Sequence, residues 1–542
     1  MADQSATPTM TDQNALVVDW DGTDDPQNPK NWPRSKKWRA TIIVSLFTFI
    51  TPVSSSMLAP ATTYIAQDLG ITTSVERSLA VSIFVLAFAF GPLLLGPLSE
   101  LYGRVRVIQL SNLFFLAWNL GCGFAQSEGQ IMAFRFLAGL GGSAPLSVGG
   151  GVLSDVWRAE ERGAAIAIYS LMPLLGPVVA PVTGAWIAER TTWRWVFWST
   201  SIFTCVVQAL GLIFLQETYE PILLARKAQR IRKAFANGDA ENAIQNGSSK
   251  SGEKDAEKDV PSAPSSVPSP TASRTEDSKQ NDTTRSTEVP QTTPGHPRTV
   301  LTKYELKPRS PVQHVLHALV RPFALFIYEP IVQLLGVYMA FVYGIFYLYL
   351  TVIPSIFEGA PYSESTGIAG LHYIAFGLGV TGASQINARA LDRIYRHFSA
   401  RNGGKGEPEY RLPSMVPGTI LLPAGLIVTG WSAQKGAHWI AVDVGLFLVG
   451  GGMILNFQCI QTYVIDAFAL HAASALAAVA FLRSLAGFSF PLFAPAMYAA
   501  LGVGWGDTLL AFVAIFVGCP APWLLWYYGS RVRAKSRYSK KS

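Results

Sequence analysis

Residues Ser78 to Leu98 read SLAVSIFVLAFAFGPLLLGPL, twenty-one positions without a charge. A helix rises about 1.5 Å per residue, so about 20 apolar residues cross the hydrocarbon core of a bilayer. The run has no polar stripe of the kind a soluble helix turns to water. Runs of the same kind recur along the chain. They predict spans at 39–61, 78–98, 107–126, 130–153, 163–188 and 194–216, and then at 326–357, 366–388, 413–433, 439–465, 472–501 and 507–529. Backbone polar groups in lipid must be satisfied within the segment, so each run is expected to be a helix. The expected fold is an all-α polytopic membrane protein, twelve helices in two bundles of six, residues 39–216 and 326–529.

Composition agrees. Of 542 residues, 49% are hydrophobic and only 15% charged, against roughly a quarter charged in soluble domains. The charge gathers in a tail at 1–38, a break at 217–325 and a short basic tail at 530–542. The net charge of +7 is explained by loops rather than by nucleic acid, because no soluble basic module interleaved with aromatics exists. Lys and Arg concentrate on cytoplasmic loops of membrane proteins. Here they flank span 1 (Lys30, Arg34, Lys36, Lys37, Arg39) and fill the loops after spans 2, 4 and 8 and the C-terminal tail. Both termini and the even-numbered loops are therefore expected in the cytoplasm. The first 38 residues lack the apolar core of a cleavable signal, so span 1 is expected to direct insertion.

The break carries a basic stretch, LLARKAQRIRKAF, and then a Ser-, Thr- and Pro-rich linker expected to be disordered at about 245–300. Cys122, Cys205, Cys459 and Cys519 all lie in apolar runs with no CxxC pair, which predicts buried inert thiols and no metal site. No GxxxxGK[ST] loop and no HExxH set occurs, so neither ATP-driven pumping nor membrane-embedded enzymology is expected, and no cofactor.

The polar turn after Leu98 carries a resemblance. GPLSELYGRVR, Gly96 to Arg106, resembles the signature loop of the major facilitator superfamily, with Gly96, Leu98, Gly103 and Arg104 matching, Glu100 replacing the usual Asp and Leu101 replacing a frequent Arg. Gly96 is expected to let helices 2 and 11 approach, Glu100 to cap and pair near helix ends, and the loop to lock and release a cytoplasmic gate. RFLAGLGGSAPLSVGGG from Arg135 resembles the family's span 4 pattern. LLGPVVAPVTGAWI resembles the antiporter signature in helix 5 of proton-coupled drug exporters, with Gly176, Pro177 and Gly184 in place and Ala180 where Gly is frequent. Pro177 and Pro181 are echoed in span 11 by Pro491 and Pro495, as matched halves would require. NPKNWPRSKKW, ETYEPILLARKAQRIRK, PEYRLP and RSLAGFSFPLFAP look like the fungal drug:proton antiporter branch, which includes polyamine, drug and organic-acid exporters.

The resemblance implies a central cavity. Candidate substrate-binding or gating residues are Arg135, Arg483, Tyr343, Tyr347, Gln385, Asn456, Gln458 and Gln461. Arg135 is expected to face the bundle interior or to snorkel to the outer interface. Arg483 lies roughly 16 Å along span 11 by helical rise, where an unpaired cation is costly, and it is the leading candidate. Proton-coupling candidates are His372, Glu329 and Asp466; each has an alternative as a packing or helix-end group. Arginines lie within spans while clear mid-span carboxylates are lacking, which suggests a neutral or anionic substrate. The expected activity is export of a small organic acid, secondary metabolite or drug, driven by protons, by a monomer in the plasma membrane or, second, a vacuolar membrane. A polyamine or cationic-drug exporter, an uptake carrier and a transporter-like sensor are the competing readings.

Overall fold

The computed structural model describes residues 15–158, 161–236, 299–302, 311–468, 471–536 and 538–539. Two units divide the chain: Met1–Asp25 with Leu223–Pro308, and Pro26–Ile222 with Arg309–Ser542. In the smaller unit β1 (Ala15–Val18) pairs in parallel with β2 (Thr299–Thr302), and Lys227 Nζ reaches Asp21 Oδ1 at 2.6 Å. Residues 15–18 belong to the expected cytoplasmic tail, and 299–302 to the expected linker, at the edge of its stretch expected to be disordered. Their short β-branched runs, ALVV and TVLT, pair. Residues 237–298, and with them most of the expected disordered linker, lie outside the described residues.

The larger unit is helical. Its first half holds α1 (Arg34–Ser56), α2 (Thr62–Leu69), α3 (Ser74–Tyr102), α4 (Arg104–Cys122), α5 (Glu128–Val156), α6 (Arg162–Arg190) and α7 (Arg194–Phe214). A further helix, α8, covers Glu220–Ala236. The second half holds α9 (Pro311–Tyr328), α10 (Pro330–Glu358), α11 (Thr366–Leu371), α12 (Tyr373–Arg401), α13 (Val416–Gln434), α14 (Trp439–Ala467), α15 (Ala472–Gly518) and α16 (Pro520–Lys535). Alternating directions put both termini of this unit at one end, called here the near end; the opposite end is the far end.

Nine segments among the described residues are long and apolar enough to cross a membrane. The last of them, Ser474–Lys535, is 62 residues long and holds two crossings. The remaining two spans of the twelve are α4 and α11–α12, in which several polar residues are buried against protein, Asn112 and Asn119 in α4 and Ser384 and Asn387 in α12. Asn112 Nδ2 of α4 donates to Gln208 Oε1 at 2.7 Å, and Asn119 Nδ2 donates to Thr200 Oγ1 and Ser201 Oγ at 2.9 and 2.8 Å. Boundaries shift at three places. Span 7 starts at Pro330, because residues 326–328 close α9. Helix α12 runs past the expected 388 to Arg401. Span 12 starts before residue 507, because the break in α15 falls at Gly502, whose φ of 76° only glycine adopts readily.

Local chemistry fixes the ends. Thr73 and Glu76 form a capping box on α3. Gly103, at φ 102°, turns the chain between α3 and α4. Helix α6 lies so close to α1 that a Cβ at Gly176 would stand 2.8 Å from Pro52 Cβ. Cys122 and Cys459 are buried free thiols as expected, but Cys205 is exposed on the outer face of α7, a correction.

The N half is centred on Arg135, which is 0% exposed and does not snorkel. Helix α1 stops at Ser56, leaving last-turn carbonyls without intrahelical partners. Arg135 Nη1 donates to Ser54 O at 2.9 Å and Nη2 to Ser55 O at 3.4 Å. Its Nε donates to Ala80 O at 3.3 Å and Nη2 also to Val81 O at 3.4 Å on α3, and the guanidinium stands 4.5 Å from the Phe84 ring centroid. One side chain of α5 thus ties α1 to α3. Arg135→Met should lower the thermal unfolding temperature of purified protein, by an energy of roughly 1–3 kcal/mol for each orphaned carbonyl. Unchanged unfolding in detergent would show that the carbonyls have another way to be satisfied.

Candidate functional site

Among the described residues, four polar contacts join the two halves. Ser55 Oγ lies 3.2 Å from Tyr347 Oη, and Tyr64 Oη donates to Thr366 Oγ1 at 3.3 Å. Glu189, at the far end of α6, accepts from Ser365 Oγ at 3.3 Å and from Gly367 N, at the first turn of α11.

Inward of these contacts the second half presents an aromatic platform. Tyr343 and Tyr347 of α10 are four residues apart and meet edge to face at 5.2 Å. Phe346 stacks on Tyr343 at 5.9 Å, and Phe457 of α14 does so at 6.5 Å. Arg483 of α15 is half-buried, with its Cζ 5.0 Å from the Tyr343 centroid and 5.1 Å from that of Phe457. Its Nε is buried without a hydrogen bond, and no carboxylate pairs with it among the described residues. One turn on, Gly487 makes the approach possible: a Cβ there would lie 3.0 Å from Tyr343 and 3.1 Å from Tyr347. A cation laid on ring faces, with unused donor capacity, suits an anionic or π-rich ligand.

The structure brings Arg483, Tyr343 and Tyr347 together, and reaches Arg135 from Tyr347 through Ser55. It does not bring the amides there. Gln458 bridges α14 to α12, donating to Ser384 Oγ at 2.7 Å and accepting from Asn387 at 2.9 Å. Asn456 is buried against Gly418 of α13 and donates to Gly452 O within its own helix. Gln385 is exposed and Gln461 half-buried, and neither joins the platform. Phe346, Phe457, Gly487 and Ser55 were missed. Their signal was spacing: Gly487 is four residues from Arg483, and Tyr343 and Tyr347 bracket Phe346.

The titratable candidates are dispersed. His372, 7% exposed, has Nδ1 2.7 Å from Asp443 Oδ1 and Nε2 3.0 Å from Glu364 Oε2, and it stacks on Phe357 at 3.5 Å. Asp466 holds Arg411 at 3.0 Å, which also holds Asp392. Glu329 is buried at the near-end junction of α9 and α10. A buried carboxylate that the sequence analysis did not single out is Asp507, 1% exposed and about one turn past Gly502, near the far end of span 12.

The signature loop also differs from expectation. Gly96 faces open space, with nothing within 4 Å of a Cβ, so it does not serve a helix contact in this arrangement. Glu100 is exposed. The acids around Arg104 are Asp155, 3.5 Å from its Nε, and Glu217, whose Oε1 accepts from the backbone N of Arg104, Thr218 and Tyr219, each at 3.0 Å. Arg104 Nη1 donates to Ser99 Oγ at 2.9 Å. These partners all belong to the first half and its following turn. Gly176 lies against Pro52 of α1 and Gly184 against Met57, the residue that follows α1, with Pro177 buried.

Two six-helix halves, with an aromatic and cationic surface on the second, and the likenesses to known proteins together define a membrane transporter of small molecules and not an enzyme. The sequence model of the Major Facilitator Superfamily matches residues 44–491. The efflux pump vrtL of Penicillium aethiopicum is 44% identical over 528 residues, covering 97% of this chain and 92% of that one. The efflux pump radE of Floropilus chiversii is 36% identical over 535 residues, covering 98% and 88%. The xylose transporter XylE of E. coli, in a partially occluded inward open conformation, shares the fold at a TM-score of 0.59 and 14% identity, covering 91% of this chain and 98% of that one. The chain belongs to the major facilitator superfamily, in the branch of fungal efflux pumps and transporters.

Filling the Gly487 position tests the platform. Overpacking costs about 1–3 kcal/mol, so Gly487→Val should reach the membrane yet transport roughly tenfold more slowly, with Gly487→Ala between. Equal transport rates for all three proteins, measured at equal surface abundance, would show that the platform does not move or bind anything in the cycle.

Proposed function

We propose that this protein exports a small neutral or anionic organic molecule, an organic acid, secondary metabolite or drug, in exchange for protons by alternating access. The observation that carries the substrate class is Arg483. A guanidinium between two helical halves, without a carboxylate among the described residues, is expensive to bury. An anionic or π-rich guest offsets that cost, whereas a polycation would add to it. The relatives named efflux pumps, and the Gly176, Pro177 and Gly184 pattern of helix 5, support export over uptake.

The basic loops favour a cytoplasmic near end, in the plasma membrane first and a vacuolar membrane second. On that orientation Glu189 and α11 lie on the outer side, and their contact opens when substrate leaves. The protein acts as a monomer, with the proton gradient as driving force and no cofactor.

The test is retention of a labelled panel in cells lacking their own exporters. The panel holds dicarboxylates, azole-like drugs, polyamines and native metabolites, with and without a protonophore. One neutral or anionic class should leave faster, and the protonophore should abolish the difference. Arg483→Ala should reduce that export by at least about tenfold, one pairing lost at roughly 1.4 kcal/mol. Arg483→Lys should fall between, since it keeps the charge without the plane. Spermidine leaving fastest would overturn the substrate class. Equal retention of every compound, with the protein at the surface, would overturn export.

A further inference from the structure

The far end of the second half encloses a carboxyl group that pairs with no cation among the described residues. Asp507 Oδ1 accepts from Tyr498 Oη at 2.6 Å, and Oδ2 accepts from Tyr349 Oη at 2.9 Å. Tyr498 lies in α15 before the break at Gly502 and Tyr349 in α10. Helix α13 closes the third side, where a Cβ on Gly430 would stand 2.6 Å from Asp507 Cβ. The titratable groups facing Asp507 are therefore the two phenols. Beside them stand the neutral Thr429 of α13 and, on its own helix, Thr508, which is bonded to Trp431 Nε1 at 3.0 Å. No Lys, Arg or His makes an ion pair with it among the described residues.

Only one of the phenols has a second face. Tyr498 lines a cavity of about 490 Å³ between the halves, whose charged lining residues are Arg77 and Glu358, with Thr351 and Ser355 adding hydroxyls. Tyr349 is 0% exposed. Asp507 does not itself line the cavity, but it is hydrogen-bonded to a residue that does.

We infer that Asp507 is the proton-binding group of the transport cycle, loaded from this cavity through Tyr498. The inference rests on the proton-exchange reading above and supplies the group that reading lacks. The transfer balances without a further reactant. A hydronium in the cavity gives a proton to Tyr498 Oη while Tyr498 passes its own to Asp507 Oδ1. A water, a neutral phenol and a neutral carboxylic acid result. The acid then no longer accepts from Tyr498, and its shell rearranges. Tyr349 lies two residues beyond Tyr347 on α10, so this shell and the platform beneath Arg483 share one helix. His372 and Asp466 suit the task less well: each already has an oppositely chargeable partner, so a change of protonation would break an existing pair.

The test uses the purified full chain in proteoliposomes with an entrapped pH dye and the panel compound that the wild type exports fastest. The wild type should move protons and accumulate that compound against its gradient when a pH difference is imposed. Asp507→Asn should lose both, while exchanging labelled for unlabelled compound at an unchanged rate. Asp507→Glu should restore proton movement. If the Asn variant moves protons as the wild type does, Asp507 is not the group, and the exchange reading stands without it. If the wild type itself moves none, the exchange reading falls and this inference with it. Should Asp507→Asn fail to insert, Tyr498→Phe decides: it should slow proton-driven accumulation about tenfold with exchange intact, and an unchanged rate would overturn the route.

Discussion

Arg135 places a full charge in the first half with no acid pairing it among the described residues, and the half is arranged around how that charge is satisfied. A buried cation needs partners worth as much as its lost hydration. Here they are carbonyl oxygens, and the most available carbonyls are those a helix leaves free where it stops. Helix α1 stops at Ser56, inside the bundle, and α3 passes close enough to supply Ala80 and Val81. The serines that end α1 then work outward. Ser54 Oγ donates to Asn119 at 2.9 Å, and Ser55 touches Tyr347 in the other half. Thus the side chain that holds α1 in place also positions the only serine that reaches the platform among the described contacts.

Set beside Arg135, the remaining buried charges sort by what they touch. Arg104, Arg411 and Arg533 each hold carboxylates within their own half: Asp155 for the first, Asp392 and Asp466 for the second, Glu407 and Glu409 for the third. These stiffen each half as a body. Arg483 and Asp507 are different. Among the described residues one has ring faces and no acid, the other has phenols and no base, and both lie in α15, on either side of Gly502. A charge whose partners are weak is one whose partners can be exchanged, and a transport cycle consists of such exchanges.

Much of this was legible in the sequence. Apolar length located the spans, because lipid leaves the backbone no alternative to helix. Arg483 was found by depth alone. The failures have physical causes. Asp507 was placed at the rim of span 12 because its helix was started at the charge itself; the true start is set by backbone conformation at Gly502. Glu217 escaped notice because, beside its two local donors on Thr218 and Tyr219, the backbone N of Arg104 is 113 residues away in sequence and reaches it only after α3 to α7 have folded. Gln458 and Asn456 looked like ligand groups because an amide in a span must bond to something, and nothing in the sequence says whether that is a guest or the next helix. His372 was singled out correctly as unusual, but its two carboxylates come from a loop and from α14, contacts that no spacing predicts.

The resting partners of Arg483 are the rings of Tyr343 and Phe457. On the proposed function, a flat guest entering between them would take over contacts the protein was already making with itself. Such a swap trades like for like. It leaves little net affinity for any one guest, so release is not slowed by a deep well. It also ranks guests by planarity and charge more than by outline, since nothing in a ring face or a guanidinium plane measures length. Looseness of fit is thus built into the walls, and a carrier of this construction is suited to clearing a family of related compounds more than to selecting one.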